Sequence, residues 1–215
     1  PTEQIEFLES AGFDVVSKVE AGIYQLTAWQ PEGPLNDVKV RRALSMAIDR
    51  TALNDVILSG RGQVATQPVN PGYPGYCAEV GDYPYDPEAA RALLAEAGYG
   101  DGLTVALQSS QGYIANDTVL AEAIAGMLSD IGVKVELDIM EFGNFLAAFS
   151  DAKLRPGLFA PRFANNPFLD SELALSFYAS SYTRHASGWT SADYDAAWQK
   201  ARTAVSADER DAAFC

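Results

Sequence analysis

The sequence predicts an α/β domain, a mixed sheet flanked by helices around a β-α-β unit, and three observations carry that expectation. The first is the run 103–139. Leu103, Val105 and Leu107 alternate with Thr104, Ala106 and Gln108; Leu120, Ile124, Met127, Leu128 and Ile131 then recur at helical spacing; Val133, Val135, Leu137 and Ile139 finally alternate with Lys134, Glu136 and Asp138. The second is a set of amphipathic helices with recognisable ends, clearest in residues 83–99, YPYDPEAARALLAEAGY. Asp86 suits the N-cap, Pro87 the first helical position and Glu88 the first turn, while Ala90, Leu93, Leu94 and Ala97 form one apolar stripe that stops at Gly98. The third is composition: 215 residues, 48% hydrophobic and 11% aromatic, suffice for one sizeable core and one domain or large lobe.

Taken in order, residues 2–11 place Ile5 and Leu8 at helical spacing and read as the tail of a helix ending before Gly12. Two strands are expected between Gly12 and Gln30, one around Phe13, Val15 and Val19 and one through Ile23, Leu26 and Trp29. PEGPLND is a turn-rich connector whose Asp37 caps a helix with the stripe Val40, Ala43, Leu44, Ala47 and Ile48. Lys39, Arg41, Arg42 and Arg50 fall mostly off that stripe, so a wet face balanced by acids is favoured over an anion site. Asp49 caps a second helix ending at Gly60, and residues 61–82, with several Pro and Gly and with Tyr73 and Tyr76, form a long irregular connection of a kind that is often functional.

Within the β-α-β unit, the loop 108–116 falls at the carboxyl edge of the sheet, where open α/β folds bind ligands. Asn116 or Asp117 caps the crossover helix. Phe142, Phe145, Leu146 and Phe149 mark a further short helix whose rings belong to the core rather than to a cofactor. Residues 154–170 combine a short apolar strand with prolines, Arg162, Phe163, Asn165 and Asn166. A loop with Tyr182, Arg184 and His185 follows, then a helix carrying Tyr194, Ala197, Trp198 and Ala201; Ser206 and Glu209 have the spacing of a capping box and start another.

Several function classes are excluded. A net charge of -14 and a pI near 4.3 argue against nucleic-acid partners and anionic membrane surfaces, whose phosphates need a basic face. No run approaches the roughly 18 apolar residues of a membrane span, and no signal segment stands among these residues. Cys77 and Cys215 are too few for a disulfide framework, and leaving them unpaired is favoured over a single bridge. His185 is the only histidine, which excludes a histidine-rich metal site, and no P-loop, dinucleotide or nucleophile-elbow motif occurs, so neither an enzyme nor a cofactor is expected.

Four stretches carry a family resemblance, in the family's order: NDVKVRRALSMAIDRTAL (36–53), YPYDPEAARALLAEAGY (83–99), GYIANDTVLAEAIAGMLSDIGVKVEL (112–137) and SGWTSADYDAAWQKA (187–201). Together they resemble family-5 extracellular solute-binding proteins of ABC importers, the peptide, nickel and opine type. The resemblance implies one lobe of a two-lobed periplasmic binding protein fold, with residues 1–30 near the hinge, 31–215 forming the body, and the first lobe and final return segment lying outside this chain. It implies capture of a small polar solute by lobe closure, delivery to an ABC permease, a periplasmic or lipoprotein-anchored location, and a monomer at full length. A sensory or protein-interaction module reusing the fold is the alternative.

The resemblance also names a cleft. Trp29 belongs to a strand that crosses near the ligand, with burial in the core as an equal alternative; Gln108 and Tyr113 lie on the carboxyl-edge loop. Peptide-binding members commonly carry a tryptophan and then an aspartate in the stretch that matches residues 154–170, and with Pro167 taken as the family's proline, Phe163 stands where that aspartate would be. Arg162, Phe163, Asn165 and Asn166 are therefore expected to face a solute with an anionic group, such as an unusual peptide, an opine-like conjugate or a modified amino acid. Otherwise, Arg162 pairs with a surface acid and the asparagines only make turns.

Overall fold

The computed structural model describes residues 4–16, 22–29, 33–82, 84–114, 116–151, 157–165, 171–181 and 190–215. Its centre is a four-stranded mixed sheet in the order β1-β4-β2-β3, formed by β1 (Gly22–Trp29), β2 (Leu103–Gln111), β3 (Val133–Glu141) and β4 (Gly157–Asn165). β2 runs parallel to both β3 and β4, and β1 closes the other side antiparallel to β4. Between β2 and β3 the crossover is α5 (Asp117–Asp130), which completes the expected β-α-β unit.

Alternation along the strands assigns the two faces. Val105 and Leu107 of β2, and Val133, Val135 and Leu137 of β3, share a core with Leu120, Ile124 and Leu128 of α5. The same core takes in α2 (Val38–Met46), α3 (Arg50–Leu58) and α4 (Pro87–Glu96) through Val40, Ala43, Leu44, Ile57, Ala90 and Leu94. On the opposite face lies α6 (Phe142–Ser150), whose buried Phe145 packs with Met140 of β3, Ala148 and Phe149.

Caps fix these helices where their sequences indicate. Asp37 accepts from the Lys39 N–H at 2.7 Å, Asp49 from Ala52 at 2.9 Å and Asp86 from Ala89 at 2.9 Å, each satisfying one of the free donors of a first turn. The basic residues of this region serve structure. Lys39 pairs with Glu96 at 3.0 Å, Arg41 donates to the Leu35 and Asn36 carbonyls at 2.8 Å, and Arg50 donates to the Ser45 hydroxyl at 2.6 Å. No helix of the described residues is long and apolar enough to cross a membrane.

Three expectations need correction. Before β1 there is α1 (Ile5–Ser10), but residues 13–16 are not a strand, and the rest of the first expected strand lies outside the described residues. β2 does not stop at Gln108: it runs to Gln111, because β3 matches it residue for residue up to Gln111↔Glu141. Cys77 and Cys215 are not unpaired but form a disulfide across 138 residues of sequence.

That bridge results from how the connection 61–82 folds. It has no helix or strand, yet of the last three helices, α7 (Ser171–Ser176), α8 (Ala192–Thr203) and α9 (Ala207–Phe214), it meets the first and the third. The Gln67 amide grips the Cys77 backbone at both ends, at 2.8 Å and 3.1 Å. Gly75 lies so close to the Phe214 side chain that a methyl group there would sit 2.7 Å from it, and the buried Ser171 hydroxyl donates to the Pro74 carbonyl. Trp198 lies 5.9 Å from Phe214, ring to ring, so α8 and α9 share the aromatic contact that the loop covers.

Candidate functional site

The carboxyl edge of the sheet differs chemically from the rest of it. β2 opens with buried Leu103, Val105 and Leu107 and closes with Gln108, Ser109 and Ser110, which are buried as completely, at 2%, 0% and 0% exposure. Buried polar side chains need partners. The Ser110 hydroxyl lies 3.4 Å from the Asp117 carboxylate, itself buried at 4% exposure, and that carboxylate also accepts from the Tyr113 N–H at 2.9 Å and the Thr118 N–H at 2.9 Å. Asp117 stands in the first turn of α5, where the helix dipole favours a negative charge. Of the two capping candidates, Asn116 is the residue in the left-handed conformation, at φ 64° and without a side-chain cap, while Asp117 holds the loop.

Held in this way, Tyr113 leaves the end of β2 with its ring stacked on Phe142, centroids 4.3 Å apart and planes 3° apart. Tyr113 is 37% exposed, so the pair presents an aromatic surface at the edge. Phe142 opens α6 directly after β3, and Glu141 caps that helix by accepting from Asn144 at 3.2 Å. The sequence assigned Phe142 to core packing; its place at the edge follows from the Gln111↔Glu141 register, which a strand's own composition does not reveal.

β4 brings the second half of the edge alongside. Its parallel pairing with β2 runs Leu107↔Leu158, Gln108↔Phe159 and Ser109↔Ala160, after which β4 continues through Arg162 and Phe163 to Asn165. The backbone of residues 162–165 thus lies beside the end of β2 that leads into the Tyr113 loop. Pro161 sits within an irregularity of the β1–β4 ladder, between Gln25↔Arg162 and Thr27↔Phe159, which suits a residue with no N–H to give. At the other end of this strand, a methyl group on Gly157 would lie 2.6 Å from the Ala106 carbonyl oxygen, so β2 and β4 approach closely here.

The expected cleft residues therefore separate. Tyr113 and the backbone of Arg162, Phe163 and Asn165 converge on one edge; Asn166 lies outside the described residues. Gln108 is in β2 rather than in a loop and is covered on all sides within this chain. Trp29 pairs with Gly157, at the beginning of β4, and so lies about 15 Å along the strand from Arg162 at roughly 3.3 Å per residue. The residue of β1 opposite Arg162 is Gln25, whose amide donates to the Tyr178 hydroxyl. Tyr178 is edge-on to Tyr194, whose own hydroxyl donates to the Leu175 carbonyl at 2.6 Å. Burial, with smaller contributions from Tyr178 and Asp195, pushes the Tyr194 phenol well above the ordinary tyrosine range.

Residues 1–183 match the family described as bacterial extracellular solute-binding proteins, family 5 middle region. The chain belongs to that family. It is 34% identical over 134 residues to Heme-binding protein A of Haemophilus influenzae, covering 60% of this chain and 24% of that protein. It is 36% identical over 123 residues to the Dipeptide-binding protein of Escherichia coli, covering 56% of this chain and 23% of the other. The solved structure of HbpA2 from Haemophilus parasuis superposes over 99% of this chain and 43% of its own length, with a TM-score of 0.86 at 24% identity, which shows a shared fold. The chain thus spans about a quarter of the curated relatives' length.

Proposed function

We propose that this chain is the greater part of one ligand-binding lobe of the substrate-binding component of an ABC importer, and that it takes a small polar, peptide-like solute at the carboxyl edge of its sheet. The observation that carries this reading is the convergence of the Tyr113 loop with residues 162–165, joined by an anchored aromatic surface and a buried polar strand end. Relatives named for dipeptide and heme binding support a solute-binding role. On this reading residues 1–30 approach the hinge, residues 31–215 form the body of the lobe, and the first lobe and the final return segment lie outside this chain.

No bond is made or broken in the function proposed. The two lobes close on the solute, whose differential affinity for the closed form shifts the population, and the closed protein docks on the membrane permease. Arg162 supplies a planar cation for a carboxylate or phosphate, Asn165 and Asn166 supply amides, and Tyr113 with Phe142 covers the apolar part. The protein works as a monomer in the periplasm or anchored to the membrane as a lipoprotein, and its disulfide suits an oxidising compartment. The test is calorimetry of the full-length protein with L-alanyl-L-alanine and with glutathione. Arg162→Ala should weaken the probe that binds by about tenfold or more, since a hydrogen bond to a charged group is worth about 1.5–3 kcal/mol. Unchanged affinity with unchanged stability would place Arg162 outside the site.

A further inference from the structure

We infer that Gln25, held by Tyr178, is a specificity-determining residue of this site, reading an amine on the solute one strand away from the group that Arg162 reads. The inference rests on the proposed function and adds a residue pair that the family pattern in the sequence did not suggest. Gln25 and Arg162 are direct partners in the β1–β4 ladder, and such partners have Cα atoms about 4.5–5.5 Å apart. That spacing matches the separation of the amino and acidic ends of a small amino-acid-derived solute. Gln25 is half-buried and sits at the same edge as the Tyr113 loop, whereas the backbone of residue 29 pairs with Gly157 toward the other end of the ladder.

The Gln25 Nε2 donates to the Tyr178 hydroxyl, which leaves Oε1 as an acceptor for a second group. Tyr178 is itself positioned by its edge-on contact with Tyr194, and Tyr194 is fixed by its bond to the Leu175 carbonyl. A short chain of contacts thus runs from α8 through the residues that follow α7 to β1 and aims a carbonyl-type oxygen. An oxygen of that kind recognises N–H and rejects a second anion, so a solute presenting an ammonium group beside Gln25 and a carboxylate beside Arg162 satisfies both.

The probes are L-alanyl-L-alanine and N-propionyl-L-alanine, which differ in the terminal amine, titrated by calorimetry into the full-length protein. The unsubstituted protein should favour the dipeptide. Gln25→Leu should lower dipeptide affinity by about tenfold while changing N-propionyl-L-alanine by less than about twofold, as loss of a charged hydrogen bond requires. Gln25→Glu keeps an acceptor that the Tyr178 hydroxyl can reach, so it should retain the dipeptide and restore discrimination. Tyr178→Phe should narrow the preference between the two probes rather than weaken both. Thermal melts establish that each variant is folded, and the Glu variant answers the question if the Leu variant is not. Equal loss of both probes in Gln25→Leu, or no loss of either, overturns the inference. If Arg162→Ala weakens the dipeptide and Gln25→Leu does not, the inference fails and the proposed function stands, as it also does if the unsubstituted protein binds glutathione but neither of these probes; if it binds none of the three, both fall.

Discussion

Replacing Asp117 with alanine should loosen the candidate site and destabilise the domain together, because one buried carboxylate serves both. Asp117 is 4% exposed and accepts two well-formed hydrogen bonds, from the Tyr113 and Thr118 N–H groups, each at 2.9 Å. Two longer contacts, from the Ser110 hydroxyl at 3.4 Å and the Ile114 N–H at 3.5 Å, add less. A hydrogen bond to a charged group contributes about 1.5–3 kcal/mol, and the solvent-facing side of the loop can recover part of that through water, so the two short bonds together should cost about 3 kcal/mol. For a domain of this size, with a urea m-value of about 3 kcal/mol/M, the unfolding midpoint should fall by about 1 M. Amide exchange at Tyr113 and Ile114 should rise well beyond the change in global stability, because the loop opens before the sheet does. A midpoint within about 0.2 M of the original, with unchanged exchange at Tyr113, would refute the claim that Asp117 anchors the loop.

Thiol titration of the unreduced, unfolded chain should find no free cysteine, and reduction should lower stability by up to about 5 kcal/mol on the chain-entropy estimate for so long a loop; two reactive thiols would show that Cys77 and Cys215 do not pair. Gly157→Ala forces a methyl group against the Ala106 carbonyl at 2.6 Å and should cost about 1–3 kcal/mol, read as a lower melting temperature; an unchanged melt would mean that β2 and β4 are not that close. Tyr194 holds its proton more tightly in the folded chain than in the unfolded one, so its contribution is complete below the ordinary tyrosine pKa of about 10 and is lost as pH rises further. Absorbance titration should show a late-ionising tyrosine component in the native protein that Tyr194→Phe removes. Residues 1–215 alone should fold yet bind the solute of the full-length protein weakly, because a small-molecule site normally encloses most of its ligand; equal affinity in the two would contradict closure by two lobes.

What was legible in the sequence was what local chemistry decides. Asp37, Asp49, Asp86 and Ser206 announce helix starts through their own side chains, and each accepts the expected N–H. The β-α-β unit was legible because apolar spacing reports burial on one face. Gln108, Ser109, Ser110 and Gln111 were read as loop because consecutive polar residues break the alternation of a half-buried strand. They form strand because β3 pairs along their whole length, β4 reaches as far as Ser109, and Asp117 approaches the Ser110 hydroxyl. Register between distant strands leaves no local mark either, so nothing in β1 distinguished Gln25, at the edge, from Trp29, at the far end. The disulfide was missed for the same reason: its two cysteines meet only after residues 61–82 have folded against α9.

The most direct test of the solute-binding account is the crystal structure of the full-length protein as purified, followed by one soaked with the probe that calorimetry identifies. The account predicts ligand density between the end of β2 and the end of β4, against Tyr113 and within hydrogen-bond distance of Arg162 and Gln25. Density lodged instead beside Trp29 and Gly157, or against the 61–82 connection, would contradict it.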